Sequence, residues 1–219
     1  MKLLIFGATG LAGSGVLRAC LDAPEVSEVR VVARRSTRVS DPKLREFIHD
    51  NYLEYVPLAD AFFGVEACFF CLGVSVSKAP VEADYRRIHQ AYPMAAATML
   101  RATSPAAPFQ YLSGKSTDLN SRWMWARVKA EAERDLIAAF EANCFRPGMI
   151  DGIGPSSQAA IVDALRPVLR AVFKPFRSMY IENVDIGRAM LQATSEGIRK
   201  RILENAEIRD LADRGRARI

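Results

Sequence analysis

Short hydrophobic runs alternate along the chain with longer segments in which apolar residues recur every three or four positions. The short runs are typical of strands buried on both faces, and the longer segments are typical of amphipathic helices. The predicted strands are Lys2 to Phe6, Val29 to Ala33, Leu44 to His49, Ala67 to Leu72, Phe109 to Ser113 and Asn143 to Arg146. The predicted helices between them are Leu11 to Leu21, Leu58 to Phe63, Ala83 to Ala102 and Trp123 to Glu141. This alternation predicts an α/β protein with a doubly wound parallel sheet, the Rossmann fold.

The pattern changes after Pro147. The predicted elements there are a loop from Asp151 to Ser157, an apolar and basic helix from Ala159 to Phe173, and helices at Val184 to Thr194 and Ala206 to Asp213. We expect one domain over residues 1–219, with a core of about 1–150 and a small carboxy-terminal cap of about 151–219, because the later region is too short for a core of its own. The basic helix is expected to lie over a cleft as a lid, and contact with an anionic membrane or a partner is the alternative.

The overall composition is that of an ordinary globular protein, with 50% hydrophobic and 25% charged residues. No apolar run approaches the roughly 20 residues that a membrane span requires. The hydrophobic start of the chain is too short for a secretory signal, since glycines follow at once. These features predict a soluble, cytoplasmic protein without a transmembrane segment.

The charged residues give a formal net charge of +5, from 30 Lys and Arg against 25 Asp and Glu. A nucleic-acid-binding protein is expected to concentrate such an excess on one face. Near the carboxyl end, basic and acidic residues instead alternate: Arg199, Lys200, Arg201, Glu204, Glu207, Arg209, Asp210, Asp213, Arg214, Arg216 and Arg218. Alternation of this kind is typical of a solvated helix face, so no nucleic-acid partner is predicted.

The chain has four cysteines, which raises the question of a metal site or a disulfide. Cys68 and Cys71 form a C-x-x-C pair inside a predicted strand, where side chains three positions apart point to opposite faces. Cys20 and Cys144 have no His or Cys neighbours at the spacing of metal ligands. Buried thiols are therefore expected, and no metal is predicted.

A glycine-rich segment directly follows the first predicted strand and opens the first predicted helix. It reads Gly7-Ala8-Thr9-Gly10-Leu11-Ala12-Gly13. Gly7 permits a tight turn, Gly10 lets a ligand approach the backbone, and Gly13 lets the helix lie close to the strand. The helix amino terminus offers N–H groups and a positive dipole end to phosphates. The segment is therefore predicted to bind the pyrophosphate of a dinucleotide, and a structural turn without a ligand is the alternative.

The end of the second predicted strand selects between NAD and NADP. An acidic residue there would bind the ribose hydroxyls of NAD, whereas arginine would accommodate the 2′-phosphate of NADP. The strand ends in Ala33-Arg34-Arg35-Ser36, without an acidic residue. Arginine can also stack on adenine while its guanidinium pairs with phosphate. NADP(H) bound by Arg34 and Arg35 is the predicted cofactor, and two merely solvated arginines are the alternative.

These segments together resemble the atypical short-chain dehydrogenase/reductase superfamily, and most closely its Tat-interacting-protein-like oxidoreductases. The resemblance extends from residue 2 to about 213 and includes the glycine turn, Ala33-Arg34-Arg35, Cys71-Leu-Gly73, Tyr111-Leu-Ser-Gly-Lys115, Arg127-Val-Lys129, Phe145-Arg-Pro-Gly148, Arg188-Ala-Met-Leu191 and Leu203-Glu-Asn205. It implies that Asp50 lies by the adenine and that Leu72 and Gly73 line the cofactor. It also implies that Ser113 lies near the nicotinamide, that Lys129 holds the nicotinamide ribose and that Pro147 borders the nicotinamide pocket. Structural roles for Asp50, Ser113 and Lys129 are the alternatives.

The chain departs from this superfamily at the residue that usually exchanges the proton. A tyrosine is usual four residues before the lysine, but here that position holds Trp125, whose indole N–H is only a donor. Gly114 also stands where relatives commonly carry a second hydroxyl residue. Substitutes for the tyrosine could be Tyr85 and His89, one turn apart on a predicted helix, or Lys115 and Ser116. Structural roles are favoured for each of these, so Ser113 and Lys129 remain the candidate catalytic residues.

Two functions of different classes follow from these residues. The first is an atypical NADP-dependent oxidoreductase that passes hydride to an acceptor needing no protein acid, such as a flavin or a quinone. The second is an NADP(H)-sensing protein without turnover, which the loss of the tyrosine would permit. The partners considered are a small-molecule substrate, a protein partner and a second copy of the chain in a homodimer.

Overall fold

The computed structural model of the chain describes residues 1–152, 171–173 and 176–216. Over these residues the strands are β1 (Lys2–Phe6), β2 (Glu28–Ala33), β3 (Leu44–Ile48), β4 (Ala67–Phe70), β5 (Phe109–Leu112), β6 (Asn143–Arg146), β7 (Met149–Asp151), β8 (Tyr180–Glu182) and β9 (Ile202–Glu204). Seven of them form one parallel sheet in the order β3-β2-β1-β4-β5-β6-β9. Strand order reverses between β1 and β4, and ligands of such sheets bind at the carboxyl ends of the strands there. The predicted α/β class and Rossmann fold are confirmed.

Helices cover both faces of this sheet. In the described part of the chain the α-helices longer than three residues are α1 (Leu11–Asp22), α2 (Ala59–Phe62), α3 (Glu82–Arg86), α4 (Tyr92–Thr103), α5 (Met124–Phe140), α6 (Asn183–Glu196) and α7 (Asn205–Arg216). Alternate residues of β1 serve the two faces, because neighbouring side chains of a strand point in opposite directions. Leu3 and Ile5 pack beneath α1, α6 and α7, whereas Leu4 and Phe6 pack beneath α2, α4 and α5.

The predicted long helix over residues 83–102 is interrupted in the structure. A turn of π-helix, Arg87–Ala91, separates α3 from α4, and the N–H of Tyr92 bonds to the carbonyl of Arg87, five residues earlier. Pro93 explains the widening, since a proline in a helix lacks an N–H and its ring clashes with the carbonyl four residues before it. That carbonyl belongs to His89, and it accepts a hydrogen bond from the buried hydroxyl of Tyr111 at 3.1 Å.

The region after Pro147 differs most from the sequence-based expectation. Asp151 is a buried strand residue and not the start of a loop, because β7 pairs in parallel with β8. None of the three-residue strands β7, β8 and β9 is predicted by the pattern. Beyond residue 152, the predicted loop and most of the helix from Ala159 to Phe173 lie outside the described residues, so the cap stays a prediction.

Helix α1 and helix α6 approach closely because two glycines face the contact. A Cβ atom on Gly187 would lie 2.7 Å from the Cβ of Ala19, and one on Gly15 would lie 2.4 Å from the backbone of Asn183. The amide of Asn183 also donates to the carbonyl of Leu11 at 2.7 Å. The start of α6 therefore supports the first turn of α1.

The alternating charges near the carboxyl end form ion pairs. Arg214 pairs with Glu196, and the guanidinium of Arg177 lies 2.7 Å from both Asp210 and Asp213. These contacts fit the predicted solvated helix face, in which exposed pairs contribute little to stability. Among the residues described, no helix has the length and apolar content needed to cross a bilayer.

Candidate functional site

The glycine turn joins β1 to α1 at the point where strand order reverses. Gly7 has a φ of +78°, and a Cβ atom on it would lie 2.5 Å from the backbone of Cys71. A Cβ atom on Gly13 would lie 2.1 Å from the carbonyl oxygen of Gly7. Both positions therefore exclude any side chain, as the sequence predicts. A Cβ atom on Gly10 would meet only the same Gly7 oxygen, at 3.4 Å. The space next to Gly10 is therefore open on the side away from that oxygen.

The first turn of α1 is arranged to receive an anion. Its N-cap is Gly10, which provides no side-chain cap, and no acidic residue lies in the first turn. The N–H groups at a helix start have no partner within the helix and carry the positive end of its dipole. An open glycine beside an uncapped helix start of this kind fits a pyrophosphate.

A cavity of about 510 Å³, which we call the adenosine-side cavity after the predicted position of the adenosine, lies between this turn and the segment after β2. Thr9, Ser14 and Arg18 line one wall, and the segment from Arg35 to Asp41 after β2 lines the other. Arg35 and Arg38 are exposed and, within the described part of the chain, form no ion pair. The carboxylate of Asp22, which also lines the cavity, is already paired with Arg18 at 2.7 Å.

Glu46 on β3 holds this arginine-bearing loop in place. Its carboxylate accepts hydrogen bonds from the hydroxyls of Ser36 and Thr37 at 2.7 Å each, and from the Thr37 N–H at 2.6 Å. Partial burial raises the pKa of Glu46, but these hydrogen bonds outweigh it and the pKa is lowered overall. The Ser36 hydroxyl in turn accepts from the N–H of Arg38, whose φ is +61°. The loop is therefore fixed by a charged anchor before any ligand binds.

Arg34 and Asp50 lie elsewhere at this edge of the sheet. Arg34 is exposed but does not line the cavity, and its charge and backbone act on the hydroxyl of Tyr52. Burial raises the pKa of Tyr52, and Arg34 opposes the rise. Asp50 is exposed, two residues beyond β3, and outside the lining of the cavity. The structure thus brings Arg35 to the turn but not Arg34 or Asp50.

A second cavity, of about 270 Å³, lies on the other side of the turn. Its lining residues come from six parts of the chain: Gly10, Leu11, Ala12, Gly13, Cys71, Leu72, Gly73, Val74, Ser75, His89, Leu112, Ser113, Lys129 and Ile150. The predicted cofactor residues Leu11, Leu72 and Gly73 therefore meet the candidate catalytic residues Ser113 and Lys129. Pro147 is buried and does not line this cavity. Its carbonyl oxygen accepts a hydrogen bond from the Lys115 N–H at 2.9 Å.

Ser113 and Lys129 are held next to each other. The Lys129 ammonium donates to the Ser113 carbonyl oxygen at 3.0 Å, and the Ser113 hydroxyl lies 3.3 Å from that of Thr117. Burial lowers the pKa of Lys129 to about 8, against the opposing charge of Glu133. Gly114 leaves space beside the ammonium, since a Cβ atom there would lie 3.5 Å from the lysine nitrogen.

Trp125 does not enter this second cavity. It is half-buried in a small apolar cluster with Tyr85, Val128 and Ala79, to one side of the cavity lining. The indole therefore lies outside the lining of the cavity that contains the lysine. Of the proposed substitutes, Lys115 instead donates from its side chain to the Ser178 carbonyl at 2.9 Å.

His89 reaches the cavity from the π-helical turn. Its ring is 2% exposed and stacks on Tyr85 with ring centroids 4.1 Å apart. Gly73 is required here, because a Cβ atom on it would lie 2.7 Å from the Cε1 of His89. Burial lowers the pKa of His89 to about 3, with a smaller effect from the charge of Lys129. The ring is therefore neutral at physiological pH.

The cysteines are free in the structure. Cys20, Cys68 and Cys144 are buried, and Cys71 is partly exposed at the end of β4. Burial raises the pKa of Cys71 to about 12, which disfavours a reactive thiolate. Over the described ranges, no three His, Cys, Asp or Glu residues come together as a metal site.

Sequence reasoning missed three residues of this region. Arg38 is separated from the strand end by an irregular loop, and Asn183 lies 172 positions from the Leu11 carbonyl that it supports. The Pro93 that places the His89 carbonyl was visible in the sequence as a helix-interrupting residue. Of these three residues, only Pro93 could have been identified from the sequence.

Comparison with solved structures gives the same fold. MoeE5 in complex with UDP-glucuronic acid and NAD is 18% identical with a TM-score of 0.70, over 93% of this chain and 75% of that one. WbmF of Bordetella bronchiseptica in complex with NAD⁺ is 14% identical with a TM-score of 0.69, over 99% and 77%. At these identities the likeness shows the fold alone.

Two relatives found by sequence are more similar to the chain than these structures are. The mitochondrial protein FMP52 of Eremothecium gossypii is 27% identical over 225 residues, covering 96% of this chain and 97% of that protein. The mitochondrial protein fmp52-1 of Aspergillus oryzae is 27% identical over 157 residues, covering 68% and 65%. No family model matches the chain.

These names contradict the cytoplasmic location expected from the sequence. All the relatives reported are named mitochondrial proteins. The expectation used the absence of a secretory signal and of a membrane span, and neither property distinguishes the cytoplasm from a mitochondrial compartment. The cytoplasmic prediction is wrong.

Proposed function

We propose that this protein is an NADP(H)-binding oxidoreductase of the atypical short-chain dehydrogenase/reductase type, located in mitochondria. The observation that carries the proposal is the pair of cavities on either side of the uncapped glycine turn. One cavity presents two unpaired arginines, and the other presents Ser113 and Lys129. Together they match the two halves of a dinucleotide whose pyrophosphate lies at the helix start.

Arg35 and Arg38 would bind the 2′-phosphate of NADP(H). Both line the adenosine-side cavity with Thr9, and neither has a carboxylate partner in the described residues. A guanidinium is suited to phosphate because its planar array of donors can make paired, charge-assisted hydrogen bonds. Arg34 is exposed and lies outside the lining of this cavity, so the proposal assigns it no phosphate contact.

On the nicotinamide side, Lys129 would hold the ribose and Ser113 would face the substrate. The bound cofactor would supply the hydride. Lys129 is fixed by its bond to the Ser113 carbonyl and is mostly protonated at neutral pH, since its pKa is about 8. With Trp125 at the tyrosine position, the acceptor best suited to this site is one that needs no protein acid, such as a flavin or a quinone.

Two measurements test this proposal. Tryptophan fluorescence should respond to NADPH at lower concentration than to NADH, since Trp123 and Trp125 begin the helix that carries Lys129. Purified protein should then oxidise NADPH with at least one member of a panel of quinones, flavins and carbonyls. Equal affinity for the two cofactors contradicts the NADP assignment, and no turnover on a broad panel contradicts the oxidoreductase assignment.

A second candidate function is an NADP(H) sensor without turnover. Trp125 favours it, because the cofactor cavities are complete while the usual proton-exchanging residue is absent. The sensor predicts that NADPH changes the affinity for a protein partner or the association of the chain into a homodimer. Sedimentation with and without NADPH measures the second effect, and unchanged association together with observed turnover would exclude the sensor.

A further inference from the structure

Glu46 contacts the arginine-bearing loop without lining the cavity that this loop borders. One of its carboxylate oxygens accepts from the Thr37 N–H at 2.6 Å and from the Thr37 hydroxyl at 2.7 Å. The other oxygen accepts from the Ser36 hydroxyl at 2.7 Å. Because Glu46 is absent from the lining of the adenosine-side cavity, it can affect a ligand there through the loop or through its charge, but not by direct contact.

These hydrogen bonds fall between the two arginines that line the cavity. Ser36 and Thr37 separate Arg35 from Arg38 in the chain. The Ser36 hydroxyl also accepts from the Arg38 N–H at 3.1 Å. Arg38 has a φ of +61°, which residues other than glycine rarely adopt, so this part of the backbone needs to be held. One side chain on β3 therefore fixes the backbone from which both guanidinium groups extend.

The same contacts determine which donors remain for a phosphate. A hydroxyl has one proton to donate, and Ser36 and Thr37 both give theirs to Glu46. Partial burial raises the pKa of Glu46, but the hydrogen bonds lower it further, so the carboxylate is ionised at neutral pH. Among residues 1–152, 171–173 and 176–216, neither Arg35 nor Arg38 forms an ion pair. The carboxylate is thus bound to neutral donors, and both guanidinium groups stay available to an anion.

We propose that Glu46 determines the preference for NADP(H) over NAD(H) by positioning Arg35 and Arg38. This inference rests on the proposed cofactor site. A loop that is ordered before binding spares the ligand the entropic cost of ordering it. The benefit falls on NADP(H), because NAD(H) lacks the 2′-phosphate that the two arginines would bind. An acidic residue then favours the more negative cofactor, which is the opposite of what its charge would do directly.

Two substitutions at Glu46 separate position from charge. E46A removes the acceptors and the charge, whereas E46Q removes the charge and keeps one oxygen for the two Thr37 donors. Calorimetric titration should show that E46A lowers the ratio of NADPH to NADH affinity about tenfold and that E46Q stays near the wild type. A fall in both variants also supports positioning, since removal of a repelling charge cannot weaken NADPH binding. An unchanged or higher ratio in E46A would overturn the proposal.

The arginines supply a second test, because Glu46 is proposed to act through them. In a protein that already carries R35A and R38A, adding E46A should cause no further loss of NADPH affinity. A further loss of about tenfold in that background would mean that Glu46 supports binding by another route, which would overturn the proposal.

A matched control is E66A. Glu66 is another carboxylate that accepts a backbone N–H, that of Lys2 at 2.7 Å, but it lies outside the lining of the adenosine-side cavity. E66A should leave the ratio of affinities unchanged. Equal losses of NADPH and NADH in E46A would show a general structural effect and overturn the proposal. If the wild type binds both cofactors equally, or neither, the proposed NADP(H) site itself fails.

Amide hydrogen exchange of the ligand-free protein measures the order of the loop directly. The N–H groups of Thr37 and Arg38 donate to Glu46 and Ser36, so they should exchange faster in E46A than in the wild type. The Lys43 N–H serves as an internal reference, because it donates to Asp41 at the far end of the loop, at 2.9 Å. Unchanged exchange at Thr37 and Arg38 would show that the loop does not depend on Glu46 and would overturn the assignment.

Discussion

The hydroxyl of Tyr111 donates to the carbonyl oxygen of His89 at 3.1 Å, inside a helix where Pro93 provides no N–H for that oxygen. The bond connects β5, which lies between β4 and β6 in the sheet, to the π-helical turn at the cavity. Tyr111 is completely buried, so its hydroxyl has no access to water. This hydrogen bond therefore links the sheet to the candidate site. We first predict the effect of removing it.

Replacing Tyr111 with phenylalanine should destabilise the protein by about 1–3 kcal/mol, because it leaves a buried carbonyl without this donor. Urea denaturation measures the change in unfolding free energy. The double variant Y111F/P93A should recover part of the loss, since alanine returns an N–H four residues after His89. A Y111F variant as stable as the wild type would show that the bond contributes nothing.

Two glycines of the turn should respond differently to alanine. In G13A the added Cβ atom would lie 2.1 Å from the Gly7 oxygen, so overpacking should cost about 1–3 kcal/mol or more. In G10A the Cβ atom has room, so thermal unfolding should change little while NADPH binding weakens about tenfold or more. Unchanged NADPH affinity in a folded G10A protein would place the pyrophosphate elsewhere.

Arg35 and Arg38 should determine the preference for NADPH. R35A and R38A should each weaken NADPH binding about tenfold or more, the effect of losing a charge-assisted hydrogen bond, and leave NADH binding unchanged. R134A is a matched control, because Arg134 is an exposed arginine on α5 paired with its neighbour Asp135. Equal losses of both cofactors in R35A would point to a structural role for this arginine.

His89 should make the protein less stable in acid. The folded-state pKa of about 3 lies below the unfolded value of 6.5, so the unfolded chain binds more protons between these pH values. Stability must therefore fall as the pH falls from 6.5 towards 3, by up to about 1.4 kcal/mol per pH unit from this residue. Above pH 6.5 the residue contributes no pH dependence.

Denaturant unfolding of the wild type and H89Q at several pH values measures this contribution. The advantage of the wild type over H89Q should shrink between pH 6.5 and 4, because glutamine does not titrate. H49Q serves as the control for the loss of a histidine in general. A difference between wild type and H89Q that stays constant over this range would contradict the burial of a neutral imidazole.

Much of the fold follows from local pattern. The bounds of β1 were predicted to the residue, because it is an apolar run that ends directly before Gly7. Strands β7 and β8 could not be predicted, since three residues give no usable period and their pairing joins segments about 30 positions apart. The interruption at Pro93 was predictable in principle, but its π-helical form depends on Tyr111 and the sheet.

The sequence predicts those parts of the candidate site whose role depends only on residues close by in the chain. The roles of Gly7 and Gly13 follow from the turn itself, and Ser113 and Lys129 came from the resemblance. The contributions of His89 and Asn183 depend on tertiary neighbours, so their residue types alone indicated only structural roles. The roles of Asp50 and Pro147, and the single domain with its cap, stay predictions.

The contact between Asn183 and Leu11 has a consequence for the order in which the chain is made. A ribosome synthesises the amide that supports the glycine turn 172 positions after the carbonyl to which it donates. A nascent chain therefore carries the turn without its support until Asn183 has emerged. A chain that ends before Asn183 would carry the glycine turn without this hydrogen bond.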